Sequence, residues 1–372
     1  MKILIVGAGP AGLSFAALML EADRSHSITI LERNPAERTP GWGITLRDHA
    51  LSFLRLDPRL ATQSLDGRAL RYRGELTIDL PNPPGVCLVT FPRAALIAAL
   101  ADACCDRGVH VTFGVDAALL SENDLAGYDL VVASDGAHSA IRHRYAVMFK
   151  PAVMQGRNRY AWLGAATPFD KLTILLTDES APLLAWAYKY TSDRSTFIVE
   201  CTEQTYERSG LGGRSAHDAC AMIDDAFAPV LQGQPVLAGR SIQWQSYRTI
   251  SCEKLTYRNI VLLGDAAHTT HFSQGFGTMF AFDDALSLQT AFESGRDVAE
   301  ALATYESMQR PKVAEFQATA AISMQWSERL LESAENRNEA LTRELIAARW
   351  PHNEVTASPL GRGSRTTRCK LH

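Results

Sequence analysis

The spacing of hydrophobic and polar positions changes twice along the chain and divides it into three regions. Lys2–Val6 carries four consecutive apolar residues, the mark of a strand covered on both faces of a parallel sheet. Pro10 to Leu20, rich in Ala, Leu and Met, predicts a helix, and Ser27–Leu31 predicts a second strand. Together they form one strand–helix–strand unit of roughly 30 residues. Val109–Phe113, Asp129–Ala133 and Asn259–Leu263 are further buried-strand segments. The middle differs: Tyr160–Ala166, Leu172–Leu176, Leu183–Tyr190 and Thr196–Cys201 are short and rich in aromatic and β-branched residues, with turn residues between them. That pattern predicts an antiparallel sheet inserted into an α/β frame. From Gly275 onward the spacing is helical, first over Met279–Phe292 and then from Val298 to about Arg349. Beyond Trp350 the chain holds Pro, Gly, Ser, Thr and Arg with few apolar residues, so the tail is expected to be disordered.

Composition narrows the class. With 372 residues, 46% hydrophobic and 21% charged, the chain can bury a large core in two lobes. A net charge of −4 offers no basic face for nucleic acid. Met1 and Lys2 lead directly into Ile-Leu-Ile-Val and then glycines, unlike a signal peptide. No apolar run reaches bilayer-spanning length, so a soluble protein with no membrane partner is expected. The seven cysteines (Cys87, Cys104, Cys105, Cys201, Cys220, Cys252 and Cys369) form no CxxC pair. Their odd number points to reduced thiols and a cytoplasmic location.

The first chemical signal is Gly7-x-Gly9-x-x-Gly12, which follows a strand, opens a helix and is answered by Glu32 at the end of the next strand. This is the full context of a dinucleotide-binding turn. Gly7 permits the tight turn, Gly9 lets the backbone approach a pyrophosphate, and Gly12 allows close helix–sheet packing. Pro10 and Ala11 lie at the helix N-terminus, whose free N–H groups favour phosphate. Glu32, with Arg33 beside it, is placed to accept hydrogen bonds from ribose hydroxyls. Two later strands end in Asp135-Gly136 and Gly264-Asp265, and Gly275, Gly277 and Thr278 open another helix. An Asp at the carboxyl end of such a strand sits where ligands bind. A dinucleotide with a long ribityl chain, lying across the sheet, would need both later motifs, which favours FAD over NAD.

Over residues 1–330 these three ordered motifs resemble the single-component FAD-dependent aromatic hydroxylases, the p-hydroxybenzoate-hydroxylase-like flavoprotein monooxygenases. The resemblance implies an α/β fold: a Rossmann-like FAD-binding domain with an inserted antiparallel-sheet substrate domain and C-terminal helices. On this basis residues 1–70, 91–152 and 252–295 form the discontinuous FAD-binding domain. Residues 71–90 and 153–251 form the substrate domain, 296–350 the C-terminal helices and 351–372 the tail. It further implies non-covalent FAD, with Asp265 near the ribityl and pyrophosphate, and Gly275, Gly277 and Thr278 near the isoalloxazine ring. Arg93 is expected to contact FAD, and Asp135-Gly136 to serve both FAD and NAD(P)H. Gly41-Trp42-Gly43, residues 156–162, 187–190 and 195–201, and the loop His271 to Thr278 are similar to one branch. That branch holds the violacein-pathway indole hydroxylase, salicylyl-CoA 5-hydroxylase and the monooxygenase half of anthraniloyl-CoA monooxygenase. The chain is too short for the reductase-like domain of the last, so ring reduction is not expected. His271-Phe272-Ser273 departs from the Pro-containing loop of many members.

In such enzymes NAD(P)H reduces the flavin, O2 adds to give a C4a-hydroperoxide, and the distal oxygen passes to an electron-rich ring. The implied substrate is a small aromatic, indolic or an aryl-CoA thioester. The protein's part is to orient the ring and exclude water, which calls for an aromatic cavity. Tyr160, Trp162, Tyr188, Trp244 and Phe272 are candidates to line it, together with Trp186 and Tyr190. Trp42 and Gly43 suggest a mobile segment near the flavin. His271 is the candidate proton relay, and His268 is expected to hydrogen-bond locally. Asp265, His268 and His271 do not share one helical face, so no metal is expected there. Asp283 and Asp284 read as helix-surface or capping charges. Arg157 and Arg159 read either as contacts for an acidic or CoA-bearing substrate or as solvated surface. The competing possibilities are a reductase or halogenase of related fold, or a non-catalytic FAD-fold protein. The Trp-x-Trp-x-Ile-Pro segment of the halogenases is missing, and all three FAD motifs are intact.

Overall fold

The computed structural model describes residues 1–35, 41–47, 60–109, 111–177, 181–239, 241–275, 277–295 and 297–350. The tail 351–372 and Phe276 lie outside the described residues.

The apolar run Lys2–Val6 is the central strand of a six-stranded sheet. The order is Thr256–Tyr257, Ile260–Leu262, Leu130–Ala133, Lys2–Val6, Ser27–Glu32 and Val111–Phe113. All neighbours are parallel except the short first pair. Ile3, Ile5, Ile30, Val131 and Val132 are fully buried, as near-continuous hydrophobic strands in a covered parallel sheet should be. Helix Pro10–Ala22 packs against helices Arg93–Cys105 and Gly277–Ser294.

An eight-stranded sheet forms the second lobe. Its long strand Pro151–Ala165 extends well before the predicted start at Tyr160, because Gln245–Cys252 pairs with its first half. Ser195–Cys201, Leu184–Lys189 and Leu172–Leu176 follow in antiparallel order, and Gly67–Tyr72 then joins in parallel. The sheet thus begins at Gly67, before residue 71. One face packs under the helices around Ala216–Ala226. The opposite face, with Tyr160, Trp186 and Ile198, meets Trp326 and Leu330 of the C-terminal helices.

A three-stranded sheet of Gly43–Arg47, Leu88–Pro92 and Gln63–Leu65 had no clear sequence signal. The predicted C-terminal helical stretch is two helices, Val298–Glu335 and Glu339–Ala347. The break falls where the Asn338 side chain caps the second by accepting from the Leu341 N–H. Among the described residues no helix is long and apolar enough to cross a membrane.

Candidate active site

The glycine turn sits at the carboxyl edge of the parallel sheet. Gly7 adopts φ 102°, a region that favours glycine. A Cβ on Gly12 would fall 2.3 Å from the Gly7 carbonyl oxygen and 2.5 Å from Ser134 Oγ, so helix and strand approach as closely as they do only because both glycines are bare. Ser134 Oγ lies 3.0 Å from the carbonyl oxygens of both Val6 and Gly7 and fixes the turn. Gly9, by contrast, faces open space. Glu32 closes the mouth, accepting from Ala8 N at 2.9 Å and Asn34 N at 2.8 Å, with Arg33 exposed beside it.

The two aspartate loops converge on the same crevice. Gly264, at φ 60°, packs on Ala11 in the first turn of the opening helix. Asp265 is accessible from the crevice yet lies deep in the molecule, and burial raises its carboxyl while Arg93 opposite draws it back down. Arg93 also donates its backbone N–H to the Trp42 carbonyl at 2.9 Å. Asp135 accepts from Ala140 N at 2.7 Å through Oδ2, whereas its buried Oδ1 has no partner among the described residues. Gly136 follows at φ 82°. Arg142, buried, donates to the Ala266 carbonyl at 2.7 Å and the Ala137 carbonyl at 2.6 Å, tying one loop to the other. Gly275 turns at φ 66°, and Gly277 and Thr278 open helix Gly277–Ser294 at the same edge. An open approach at Gly9, an unspent Asp135 oxygen and crevice-facing Asp265 and Arg93 fit a long phosphate-bearing cofactor.

Asp283 and Asp284 are not surface charges, contrary to the sequence expectation. Both are buried; Asp284 accepts from Gly264 N at 2.7 Å and faces His268 Nε2 at 3.1 Å. Gln309 donates to both aspartates, and Lys312 reaches Asp283 at 3.1 Å. Burial opposes a charge on His268, but Asp284 outweighs it and the imidazole pKa is raised. His268 therefore serves the loop locally, as expected.

Phe272 is the centre of an aromatic wall. Its ring lies 5.2 Å from Tyr160, 6.3 Å from Trp162, 6.2 Å from Trp186 and 4.2 Å from His271. Trp162 is 40% exposed, unusual for so large an apolar ring, and is the open edge of that wall. Trp42 is fastened rather than free: its indole lies on Gly164, where a Cβ would come within 2.7 Å, and Nε1 donates to the Trp162 carbonyl at 3.2 Å. Gly43 is pressed against Tyr190, and its carbonyl accepts from the Tyr188 hydroxyl at 3.0 Å. Tyr188 thereby braces the strand Gly43–Arg47 instead of offering a free hydroxyl. Trp244 does not join the wall; it packs on Tyr206 with the core on the other sheet face.

His271 is buried, and its Nδ1 lies 2.8 Å from Ser273 Oγ. Burial, aided by Arg349, holds its pKa down at about 3, so the ring is neutral at working pH. Arg157 pairs with Glu328 and Glu332, and Arg159 with Glu203, so both are engaged within the protein. Sequence reasoning missed Ser134, Arg142, Gln309 and a cationic rim beside Asp135-Gly136. There Arg248 Nη2 lies 2.8 Å from His138 Nε2, with Arg33 and Arg142 near enough, after burial, to hold the imidazole pKa down.

A glycine turn, two aspartate loops and a separate aromatic-faced sheet over one crevice define a two-lobed flavoprotein of the oxygenase type. The solved structure of tetrameric 2-methyl-3-hydroxypyridine-5-carboxylic acid oxygenase has the same fold, with a TM-score of 0.72 at 17% identity over 92% of this chain and 95% of that one. Residues 112–320 match the FAD binding domain family. The chain is 34% identical to protodeoxyviolaceinate monooxygenase of Chromobacterium violaceum, over 88% of this chain and 89% of that protein. It is 32% identical to salicyloyl-CoA 5-hydroxylase of a Streptomyces species, over 88% of this chain and 65% of that longer protein. The chain belongs to this family and is an FAD-dependent aromatic monooxygenase, with NAD(P)H and O2 as co-substrates.

Proposed function

We propose that the enzyme hydroxylates an indolic compound or an aryl thioester held against the Trp162–Phe272 wall. The supporting observation is that this exposed aromatic edge adjoins the Gly275 turn, whose N–H donates to the Phe272 carbonyl at 2.9 Å. The names of the relatives agree with such substrates. FAD would lie along Gly7, Gly9, Pro10, Ala11, Gly12, Glu32 and Arg33, then Arg93, Asp135, Gly136, Gly264 and Asp265, with its ring toward Trp42, Gly43, Gly275, Gly277 and Thr278. FAD, when bound, supplies the oxygen-transfer chemistry. The chain's own part would be to bind the phosphates on the first helix N-terminus, offer Asp265 to the ribityl hydroxyls, and stack the substrate where water is excluded. The division into a discontinuous cofactor domain and a substrate domain follows from the same assignment, and the free cysteines support a cytoplasmic enzyme.

The test is NADH and NADPH oxidation by the purified yellow protein against indoles, aryl acids and aryl-CoA esters. One class should stimulate flavin reduction and gain an oxygen atom; failure of every aromatic to do so overturns the assignment. The Arg248–His138 rim suits the phosphates of NAD(P)H, since guanidinium groups match phosphate oxygens. Arg248→Ala should slow flavin reduction about tenfold or more, equivalent to about 1.4 kcal/mol, with FAD affinity unchanged. Stopped-flow reduction beside FAD titration checks this; an unaltered reduction rate removes Arg248 from the role.

A further inference from the structure

Glu200 is the one carboxylate on the strand Ser195–Cys201, and it is 1% exposed. Alternation places it on the inner face with Ile198, toward the aromatic wall and the long helix. A hydrophobic residue would satisfy that position more cheaply, because an ionised carboxylate there must be desolvated. Its partners are all neutral: Trp186 Nε1 at 2.6 Å on Oε1, with Asn158 Nδ2 and Ser327 Oγ each at 3.2 Å on Oε2. Ser327 Oγ is also 2.9 Å from the Met324 carbonyl. One hydroxyl proton cannot serve both acceptors fully. With Glu200 protonated, the acid donates to Ser327 Oγ and Ser327 donates to Met324; with Glu200 ionised, Ser327 must turn to the carboxylate. The site therefore has two hydrogen-bond arrangements that differ by one proton.

Glu200 also borders a small cavity with Tyr160, Tyr247 and His271, with room for about one water molecule. Tyr160 stands directly opposite Glu200 across the strand pair. The Tyr160 hydroxyl accepts from Gln245 Nε2 at 2.9 Å, which leaves its own proton to donate elsewhere. His271 uses Nδ1 toward Ser273, which leaves Nε2 for the cavity. Tyr160 and His271 both pack on Phe272. The hydroxyl of Tyr160, the imidazole of His271 and the carboxyl of Glu200 therefore border one cavity beside the aromatic wall.

We propose that Glu200 is the internal proton store of the hydroxylation site, exchanging a proton with the aromatic substrate through the Tyr160–His271 cavity. This rests on the substrate lying at the Phe272 wall, as proposed above. The step is balanced within the protein: the substrate O–H or N–H bond breaks as the carboxyl O–H bond forms, and the reverse transfer restores the starting state. His271 takes part as a neutral donor–acceptor. The charged and titratable groups around Glu200 are Glu328 from the long helix with its partner Arg157 on the neighbouring strand, Tyr160 and Tyr247 from adjacent strands, His271 from the loop, Arg349 stacked on Trp186 beyond the last helix, and neighbouring Cys201. Burial lifts the Glu200 pKa to about 7, offset only in part by its three donors. It can thus gain or lose a proton near neutrality.

Two measurements decide the matter. Infrared titration of the purified holoenzyme without substrate should show a protonated-carboxyl band that fades as pH rises through about 7, and Glu200→Gln should lack it. Product formed per NAD(P)H consumed should rise through the same range in the wild type, whereas Glu200→Gln should be several-fold lower and flat. FAD affinity should be the same in both. Should Glu200→Gln fail to fold, Ser327→Ala serves instead: it removes a hydrogen bond from both forms, the charge-assisted bond to the carboxylate being the stronger, so both transitions should move to higher pH. A wild-type pH profile in Glu200→Gln, or unmoved transitions in Ser327→Ala, overturns the proposal. If no aromatic is hydroxylated, the substrate assignment fails, and the infrared band alone still shows whether Glu200 stores a proton.

Discussion

Replacing Gly9 with valine should give a folded protein that purifies without FAD. Gly9 has φ −81° and ψ −179°, an extended conformation open to any residue, and a Cβ there meets no atom within 4 Å. The fold loses nothing, but the branched side chain stands where a pyrophosphate must approach the backbone. An affinity loss of about 100-fold or more is expected, worth about 2.7 kcal/mol. Gly12→Ala should behave differently. Its methyl group would meet the Gly7 carbonyl, Ser134 and Ile5, so stability and FAD binding should fall together. Cofactor titration with thermal melting of the FAD-free proteins separates the two. A Gly9→Val protein that keeps normal FAD affinity would place the cofactor elsewhere.

Asp284→Ala should be the most destabilising single change near the site. It removes the acceptor for Gly264 N and the partner of buried His268, a loss of about 3–5 kcal/mol for breaking a buried pair. That is a large part of the roughly 5–15 kcal/mol by which domains are stable. Asp284→Asn should be milder and more informative, since it keeps an acceptor but removes the charge. His268 has a raised pKa in the fold, so its stabilisation is fully present below the ordinary value of 6.5 and is lost as pH rises through the raised value. Thermal melts over roughly pH 6 to pH 9 should show that loss in the wild type and a flatter curve in Asp284→Asn. Equal slopes would mean that the pair is not charged.

The centre of the parallel sheet was legible in the sequence because Lys2–Val6, Leu130–Ala133 and Ile260–Leu262 are apolar runs that lead into the Gly7, Asp135 and Gly264 motifs. Lys2–Val6 and Leu172–Leu176 coincide with their predicted spans, and the other predicted strands match within a few residues, except at the start of Pro151–Ala165; Gly67–Tyr72, Glu75–Pro81, Gln245–Cys252 and the three-stranded sheet were not predicted. That extension was hidden because its first half is exposed and lies against Gln245–Cys252, a pairing distant in sequence. Asp283 and Asp284 were misjudged for a related reason. Two adjacent acids in a helix look solvated until Gln309, Lys312 and His268 arrive from other elements to satisfy them. Trp244 had the right composition but the wrong face, which alternation alone leaves open when strand boundaries are unknown. Arg248 carried no local signal, since its partner His138 lies more than 100 residues away, and the tie from Arg142 to the Ala266 carbonyl is equally distant in sequence.

Helix Val298–Glu335 runs about 57 Å at 1.5 Å per residue. Along that length Tyr305 bonds the strand Ile260–Leu262, Gln309 and Lys312 bond Asp283 of helix Gly277–Ser294, Ser323 meets Ser273, and Ser327 to Glu335 grip the eight-stranded sheet and the helix after it. The two lobes consequently share a spine, and neither has a complete core without it. Cutting the chain between them does not yield two autonomous halves, so the enzyme should melt in a single cooperative transition and resist modular recombination with lobes of its relatives unless the spine is exchanged along with them.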